Sequence, residues 1–114
     1  MTYKEVATMI SGIGFPFAYD HFDEDNAEPP PFICFYFSSS SDLAADDTNY
    51  QKIRRLTLEL YTDNKDFSTE ETVEAALNEA GLVFSRSESY IDTERMYMVV
   101  YETDIIITEE TENG

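Results

Sequence analysis

The chain has 114 residues, 42% of them hydrophobic, which suits one domain with a single core and is too short for two. It carries 24 acidic and 7 basic residues, and its formal net charge is −17. Nucleic-acid phosphates and anionic membrane surfaces are bound by clustered lysine and arginine, so this composition argues against both partners.

The first helix is predicted over residues 3–11. Thr2 and Glu5 have the spacing of a capping box, in which each side chain bonds the backbone amide of the other residue. Gly12 and Gly14 predict the end of the helix. Apolar residues recur at helical spacing: Val6, Met9, Ile10 and Ile13.

Two extended segments follow in the first half of the chain. Residues 15–19 form a short aromatic segment, and Pro16 restricts it to a sheet edge or a strand start. An acidic loop and three prolines lead into residues 32–37, an apolar run of strand length that is rich in aromatic residues.

The second half predicts a strand, a helix and a hairpin. Leucines alternate with polar residues over 50–61, which indicates a strand with one buried face. A capping box from Ser68 to Glu71 predicts a helix over 69–80, with Gly81 as the residue after its C-cap. Residues 82–90 and 95–107 form two strands joined by a turn at 91–94.

These elements predict an α+β fold in the order α-β-β-β-α-β-β. Four to five mostly antiparallel strands would form a small sheet, with both helices packed on one face. Residues 1–108 would form one domain, and residues 109–114 a disordered acidic tail. The outer face of the sheet would carry Arg55, Thr57, Glu59, Tyr61, Tyr97 and Tyr101.

No pattern in the sequence indicates catalysis, a cofactor or a metal. His21 is the single histidine, and we interpret it as structural or merely exposed rather than a metal ligand, because zinc needs more histidine or cysteine ligands. The acidic loop at 20–28 lacks the glycine of a calcium-binding EF-hand loop. Cys34 is the single cysteine, and its apolar neighbours would raise its pKa and make it inert. We therefore expect a protein that is not an enzyme.

Basic residues and tyrosines are the candidate interface residues. The cluster of Lys52, Arg54 and Arg55 could dock onto an acidic patch of another subunit, or could be solvated strand charges. The chain has 8 tyrosines and 8 phenylalanines, more than one small core needs. The predicted subunit-interface residues are Lys52, Arg54, Arg55, Tyr61, Tyr97 and Tyr101.

The chain resembles a family of short acidic proteins from prophages and long-tailed phages of Gram-positive bacteria, whose genes lie among the head–tail and tail morphogenesis genes. The resemblance covers nearly the whole chain and contains no catalytic motif. Five segments carry it: Gly14-Phe15-Pro16-Phe17-Ala18-Tyr19, Pro30-Pro31-Phe32-Ile33-Cys34-Phe35-Tyr36, Tyr50-Gln51-Lys52-Ile53, Leu58-Glu59-Leu60-Tyr61-Thr62 and Tyr97-Met98-Val99-Val100-Tyr101-Glu102.

This resemblance implies a virion assembly protein, either tail-terminator-like or a head–tail joining protein. It implies a homo-oligomeric ring, a hexamer, that contacts the tail tube or connector proteins. Such a protein would be found in the host cytoplasm during assembly and then in the virion, which agrees with an N-terminal segment unlike a signal peptide.

An acidic DNA mimic that inhibits a host DNA-binding protein is the alternative function. Small size and high negative charge fit this class of protein. A mimic, however, places acidic residues in regular rows on exposed helices. The two predicted helices are short, and they carry few acidic residues beyond the first turns of the second helix.

Overall fold

The computed structural model describes residues 1–40, 43–44 and 50–108. The predicted tail at 109–114 and part of the 38–47 loop lie outside the described residues. A 3₁₀ turn at Glu24–Asn26 lies in the acidic loop. The helices are α1 (Tyr3–Ile13) and α2 (Phe67–Glu79), and the strands are β1 (Phe17–Tyr19), β2 (Phe32–Ser40), β3 (Leu43–Ala44), β4 (Tyr50–Thr62), β5 (Ser85–Ile91) and β6 (Met96–Ile107).

The strands form one mixed sheet in the order β1-β2-β4-β6-β5, and the two-residue strand β3 pairs with β4 off this path. Strands β1 and β2 are parallel, and the other pairs are antiparallel. The α+β class, the order of the main elements and the mostly antiparallel sheet are as predicted, and β3 is an addition.

Both helices pack on one face of the sheet, which we call the helix face. The core lies between them and the strands, and α1 also contacts α2. This arrangement confirms the prediction that the helices share one face. The buried core residues are Val6, Ile10 and Ile13 of α1, Val73 and Leu77 of α2, and Ile33, Phe35, Leu56, Leu58, Leu60, Val99, Tyr101, Ile105 and Ile107 of the strands.

The capping box at the start of α1 is confirmed. The Thr2 hydroxyl accepts a hydrogen bond from the Glu5 amide at 3.0 Å, and the Glu5 carboxylate accepts one from the Thr2 amide at 2.8 Å. The helix runs through Gly12 and ends at Ile13, two residues later than predicted. Gly14, at a φ of 100°, is the residue that ends it, because this backbone conformation favours glycine.

Helix α2 begins two residues earlier than predicted because Asp66, not Ser68, is its N-cap. The Asp66 carboxylate accepts bonds from the Thr69 amide at 3.1 Å and from the Thr69 hydroxyl at 2.6 Å. A charged acceptor is favourable at the positive end of the helix dipole. Gly81 follows the C-cap at a φ of 75°, as predicted.

Strand alternation divides β4 and β6 between two faces. Leu58 of β4 lies in the core and pairs in register with Tyr101 of β6, so both side chains project toward the helices. The next pair, Glu59 and Val100, projects to the opposite side, which we call the outer face. Arg55, Thr57 and Tyr61 also lie on the outer face by this alternation.

Candidate interaction surface

An aromatic band lies at one end of the outer face. The rings of Phe32 and Tyr61 stack with a centroid distance of 4.8 Å, and Phe22 meets Phe32 edge to face at 5.5 Å. Phe22 belongs to the acidic loop, so this loop is anchored on the outer face. Met98 pairs in register with Tyr61 and extends the band across the sheet.

Glu59 lies next to this band, and two tyrosine hydroxyls bind its carboxylate. Tyr61 donates at 2.8 Å and Tyr36 at 3.3 Å. Burial raises the pKa of Tyr61, and the bond to Glu59 raises it further. Burial and the charge of Glu59 also raise the pKa of Tyr36. Both hydroxyls therefore remain donors at neutral pH and hold the carboxylate in place.

Cys34 lies beneath the acidic loop and is 5% exposed. Burial raises the pKa of its thiol to about 11, and the charges of Glu59 and Asp20 act in the same direction. The sequence prediction of a raised pKa is confirmed. The thiol is protonated at neutral pH, and a protonated thiol is a poor nucleophile.

His21 is exposed at the edge of the same loop. Its Nδ1 atom lies 2.9 Å from the carboxylate of Asp20, and its Nε2 atom lies 3.6 Å from that of Asp23. Among the described residues, no group of three or more histidine, cysteine or acidic side chains is arranged to hold a metal ion.

The structure divides the predicted basic cluster between the two faces. Arg55 is on the outer face, and its Nε atom lies 3.0 Å from the carboxylate of Asp104. Lys52 and Arg54 pair in register with Ile107 and Ile105, which are buried on the helix face. The prediction of one continuous cluster was wrong, because successive residues of a strand project to opposite sides.

The three predicted interface tyrosines are also divided. Tyr61 is on the outer face, as predicted. Tyr101 is 1% exposed in the core, and its hydroxyl donates to Glu74 at 2.7 Å. Tyr97 projects to the same side of β6 as Tyr101, because an even number of positions separates them. Its ring contacts that of Tyr90 at a centroid distance of 4.9 Å. The placement of Tyr97 and Tyr101 on the outer face was therefore wrong.

An open groove of about 630 Å³ lies on the helix face beside Arg54. The ring of Tyr3 meets Phe37 edge to face at 5.1 Å, and Tyr19 meets Phe35 at 5.3 Å. Tyr3 is 46% exposed and Tyr19 is 56% exposed, so aromatic surface faces solvent here. Sequence analysis missed this groove because its walls come from α1, β1 and β2; the high aromatic count was its signal.

A buried ionic network holds α2 against β5 on the helix face. Glu70 is 2% exposed, and its carboxylate contacts Lys65 at 2.5 Å and also Arg86. Glu88 binds the same two cations. Burial acts to lower the pKa of Lys65, but its hydrogen bonds to Glu70 and then Glu88 raise the pKa overall, and the bond to Lys65 lowers the pKa of Glu88. Two of the chain's seven basic residues, Lys65 and Arg86, thus belong to this network.

The fold has a known counterpart. The chain is similar to a chain of the virion of native gene transfer agent (GTA) particle, with a TM-score of 0.56 and 17% sequence identity. The match covers 91% of this chain and 88% of that chain. No family model and no curated protein sequence matches. Neither helix of the described residues combines the length and apolar character needed to cross a bilayer.

Proposed function

We propose that this protein is a structural subunit of a phage or phage-like virion, of the tail-terminator or head–tail joining kind. The observation that carries the proposal is the fold shared with a virion chain over 91% of this chain's length. The resemblance of the sequence segments to phage morphogenesis proteins supports the same role. We propose virion proteins, such as the tail tube or the connector, as its partners.

A ring of identical subunits is the proposed assembly, six by the family resemblance. Charge supports a ring through which DNA passes. Each subunit has a formal net charge of −17, and carboxylates lining a lumen would repel phosphates and let the duplex slide. The same charge keeps free subunits apart until salt or a tail end screens their repulsion.

The proposed role is structural rather than catalytic. A protonated thiol at Cys34 and an exposed histidine at position 21 are poor candidates for nucleophilic catalysis. The outer face offers aromatic rings and hydrogen-bonded charges, which are typical of protein interfaces.

Sedimentation velocity and electron microscopy of the purified protein test this proposal. The protein is measured alone over a range of concentration and salt, and then with purified tail tubes of a long-tailed phage. We expect rings, either free or at tube ends. A monomer under every condition, tail tubes included, would contradict the proposed function.

DNA binding provides a second test. With 7 basic residues against 24 acidic ones, we expect no binding to duplex DNA at micromolar protein and physiological salt. Fluorescence anisotropy of a labelled duplex measures this directly. Binding at these concentrations would contradict the lumen argument.

A further inference from the structure

The sheet has two open edges, formed by β1 and β5. These strands stand first and last in the order β1-β2-β4-β6-β5, so in the described sheet each pairs with another strand on one side only. Residues 85–90 of β5 are all exposed, as are Phe17 and Tyr19 of β1. Backbone N–H and C=O groups at an uncovered edge can pair with a further strand.

The hydrogen bonds between β1 and β2 show which backbone groups of β1 face its open edge. The Pro16 carbonyl accepts from β2 at 2.8 Å, and the Asp20 amide donates to β2 at 2.7 Å. Because alternate residues of a strand bond to the same neighbour, Phe17 and Tyr19 direct their backbone groups away from β2. The His21 amide donates to the Tyr19 carbonyl at 2.7 Å, which leaves the Tyr19 amide and both backbone groups of Phe17 at the edge.

Strand β5 is suited to accept a further strand. It contains neither proline nor lysine, which natural proteins use to block open edges, and it pairs with β6 in a continuous register over seven residues. Its two charged side chains, Arg86 and Glu88, bind each other at 3.1 Å on the helix face. The small side chains of Ser85, Ser87 and Ser89 project to the outer face and leave room beside the edge.

We propose that β1 of one copy adds to β5 of the next copy, so that one sheet continues from subunit to subunit. This inference rests on the proposed function and names the strands that meet in the ring. Since β1 runs antiparallel to β5 within the sheet, a neighbour in the same orientation forms an antiparallel pair. The contact uses two different edges, so it is head to tail, and head-to-tail contacts produce rings or filaments.

Exposed aromatic rings on the helix face support a second copy as the occupant. Phe17 and Tyr19 project to this side because they pair in register with the core residues Ile33 and Phe35, and they are 37% and 56% exposed. Tyr90 projects from β5 to the same side and is 48% exposed. Joining the two edges would bring these rings together, and aromatic pairs across neighbouring strands stabilise a sheet.

Charge complementarity also favours a second copy. Arg95, in the turn between β5 and β6, is exposed and forms no ion pair in the described part of the chain. The same holds for Glu24, Asp25 and Glu28 of the acidic loop, which leads from β1 to the start of β2. The turn and the start of β2 lie at the same end of the sheet. An arginine of one copy near the acidic loop of the next would offset part of the repulsion between subunits of charge −17.

Disulfide trapping tests the contact. Pairs in register lead across the sheet from Ala18 on β1 to Ser87 on β5, and both side chains project to the outer face. If this row continues into the next copy, the two residues lie opposite each other at a Cα separation of about 5 Å, which a disulfide spans. In a Cys34→Ala background, Ala18→Cys is combined with Ser85→Cys, Ser87→Cys or Ser89→Cys, so that a register shifted by two residues is also detected.

One of the three cysteine pairs is expected to give a ladder of covalent oligomers on a denaturing gel, after oxidation under conditions in which the parent assembles. The control combines Ala18→Cys with Glu71→Cys on the exposed side of α2. About tenfold more cross-linked chain than in this control is expected, because adjacent strands hold the two thiols at a high local concentration. Each cysteine of a pair is also tested alone and is expected to give no ladder. Circular dichroism and thermal melting under reducing conditions establish that each variant is folded.

The outcomes separate the contact from the ring. If the parent assembles but none of the three folded pairs exceeds the control, the proposed contact is overturned and the ring itself is left intact. Efficient dimer formation by Ser87→Cys alone would indicate a twofold pairing of two β5 edges and would also overturn it. A parent protein that assembles under no condition, tail tubes included, would contradict the proposed function and with it this contact.

Discussion

The two faces of the central strand β4 perform different tasks. Leu58 on the helix face is 1% exposed and packs among the core residues of both helices. Glu59, the next residue, is half-buried on the outer face and is bound by two tyrosine hydroxyls. One strand therefore contributes to the core on one side and carries charge and aromatic rings on the other.

The faces also differ in how they accommodate carboxylates. Glu70 is buried on the helix face and contacts two cations of its own chain, Lys65 and Arg86. On the outer face, Glu59 is held instead by two tyrosine hydroxyls. The comparison indicates that the buried carboxylate is balanced by cations of its own chain, whereas the half-buried one is held by neutral donors.

One substitution on each side of β4 provides the strongest test of this comparison. Leu58→Ala is expected to lower the free energy of unfolding by about 2–5 kcal/mol, since it leaves a cavity in the core. Glu59→Gln keeps the shape and an acceptor for the hydroxyls, and its expected cost is below about 1 kcal/mol. Urea unfolding measures both. Similar losses for the two variants would refute the division of tasks.

The ionic network predicts a smaller loss. Glu70→Gln is expected to destabilise the protein by about 2 kcal/mol, less than breaking a fully buried pair, because Lys65 and Arg86 are partly exposed and regain water. Glu71→Gln is the control: its side chain is exposed one residue away, and a change within about 0.5 kcal/mol is expected. Thermal melting at neutral pH compares the two variants, and equal melting temperatures would argue against the network.

Alkaline pH is expected to lower the free energy of unfolding through ionisation of Cys34. Its pKa is about 11 in the fold against 9.0 without the fold, so the unfolded chain loses the proton first. Above pH 9 the unfolded state binds fewer protons than the folded state, and stability falls as pH rises. At pH 10 this contribution amounts to about 1 kcal/mol.

The variant Cys34→Ala isolates this effect. It cannot ionise at position 34, so its stability is expected to fall less steeply than the parent's between pH 8 and pH 10.5. Chemical unfolding at several pH values measures both slopes. Tyr61→Phe is a companion variant that keeps the stack with Phe32 and removes a second hydroxyl of raised pKa. Identical slopes for parent and Cys34→Ala would show that the thiol is not the group concerned.

The smallest expected effect concerns the ion pair of Arg55 and Asp104. Their side chains are 45% and 56% exposed, and exposed pairs contribute less than about 1 kcal/mol. A double-mutant cycle with Arg55→Gln and Asp104→Asn measures the coupling, which is expected to decrease further as salt is added. A coupling above about 2 kcal/mol would mean that this pair is a structural element of the outer face.

Local patterns in the sequence were sufficient to predict the main helices and strands. Leucine alternation located β4 and its buried face, and the spacing of Thr2 and Glu5 gave the start of α1. The cap of α2 was misplaced because Asp66 and Ser68 both lie near its beginning. Asp66 is the N-cap because its carboxylate accepts from the Thr69 amide three residues later. The alternation in β4 already implies that Arg54 and Arg55 project to opposite sides, so the sequence pattern itself contradicts a single basic cluster.

By itself, the sequence determined the α+β class, the order of the main elements and the buried face of β4, because these depend on hydrophobic period, caps and turns within a few residues. Tertiary structure alone decided which side of β6 meets the helices. In the first half of β6, the residues that project to either side are all apolar. Tyr97 and Tyr101 could therefore face either way until the register with Leu58 was known. Tertiary structure also decided that Tyr36 of β2 binds Glu59 and that Arg86 of β5 binds Glu70, because these partners come from other strands, whereas Tyr61 and Lys65 are close in the chain to the carboxylates they bind.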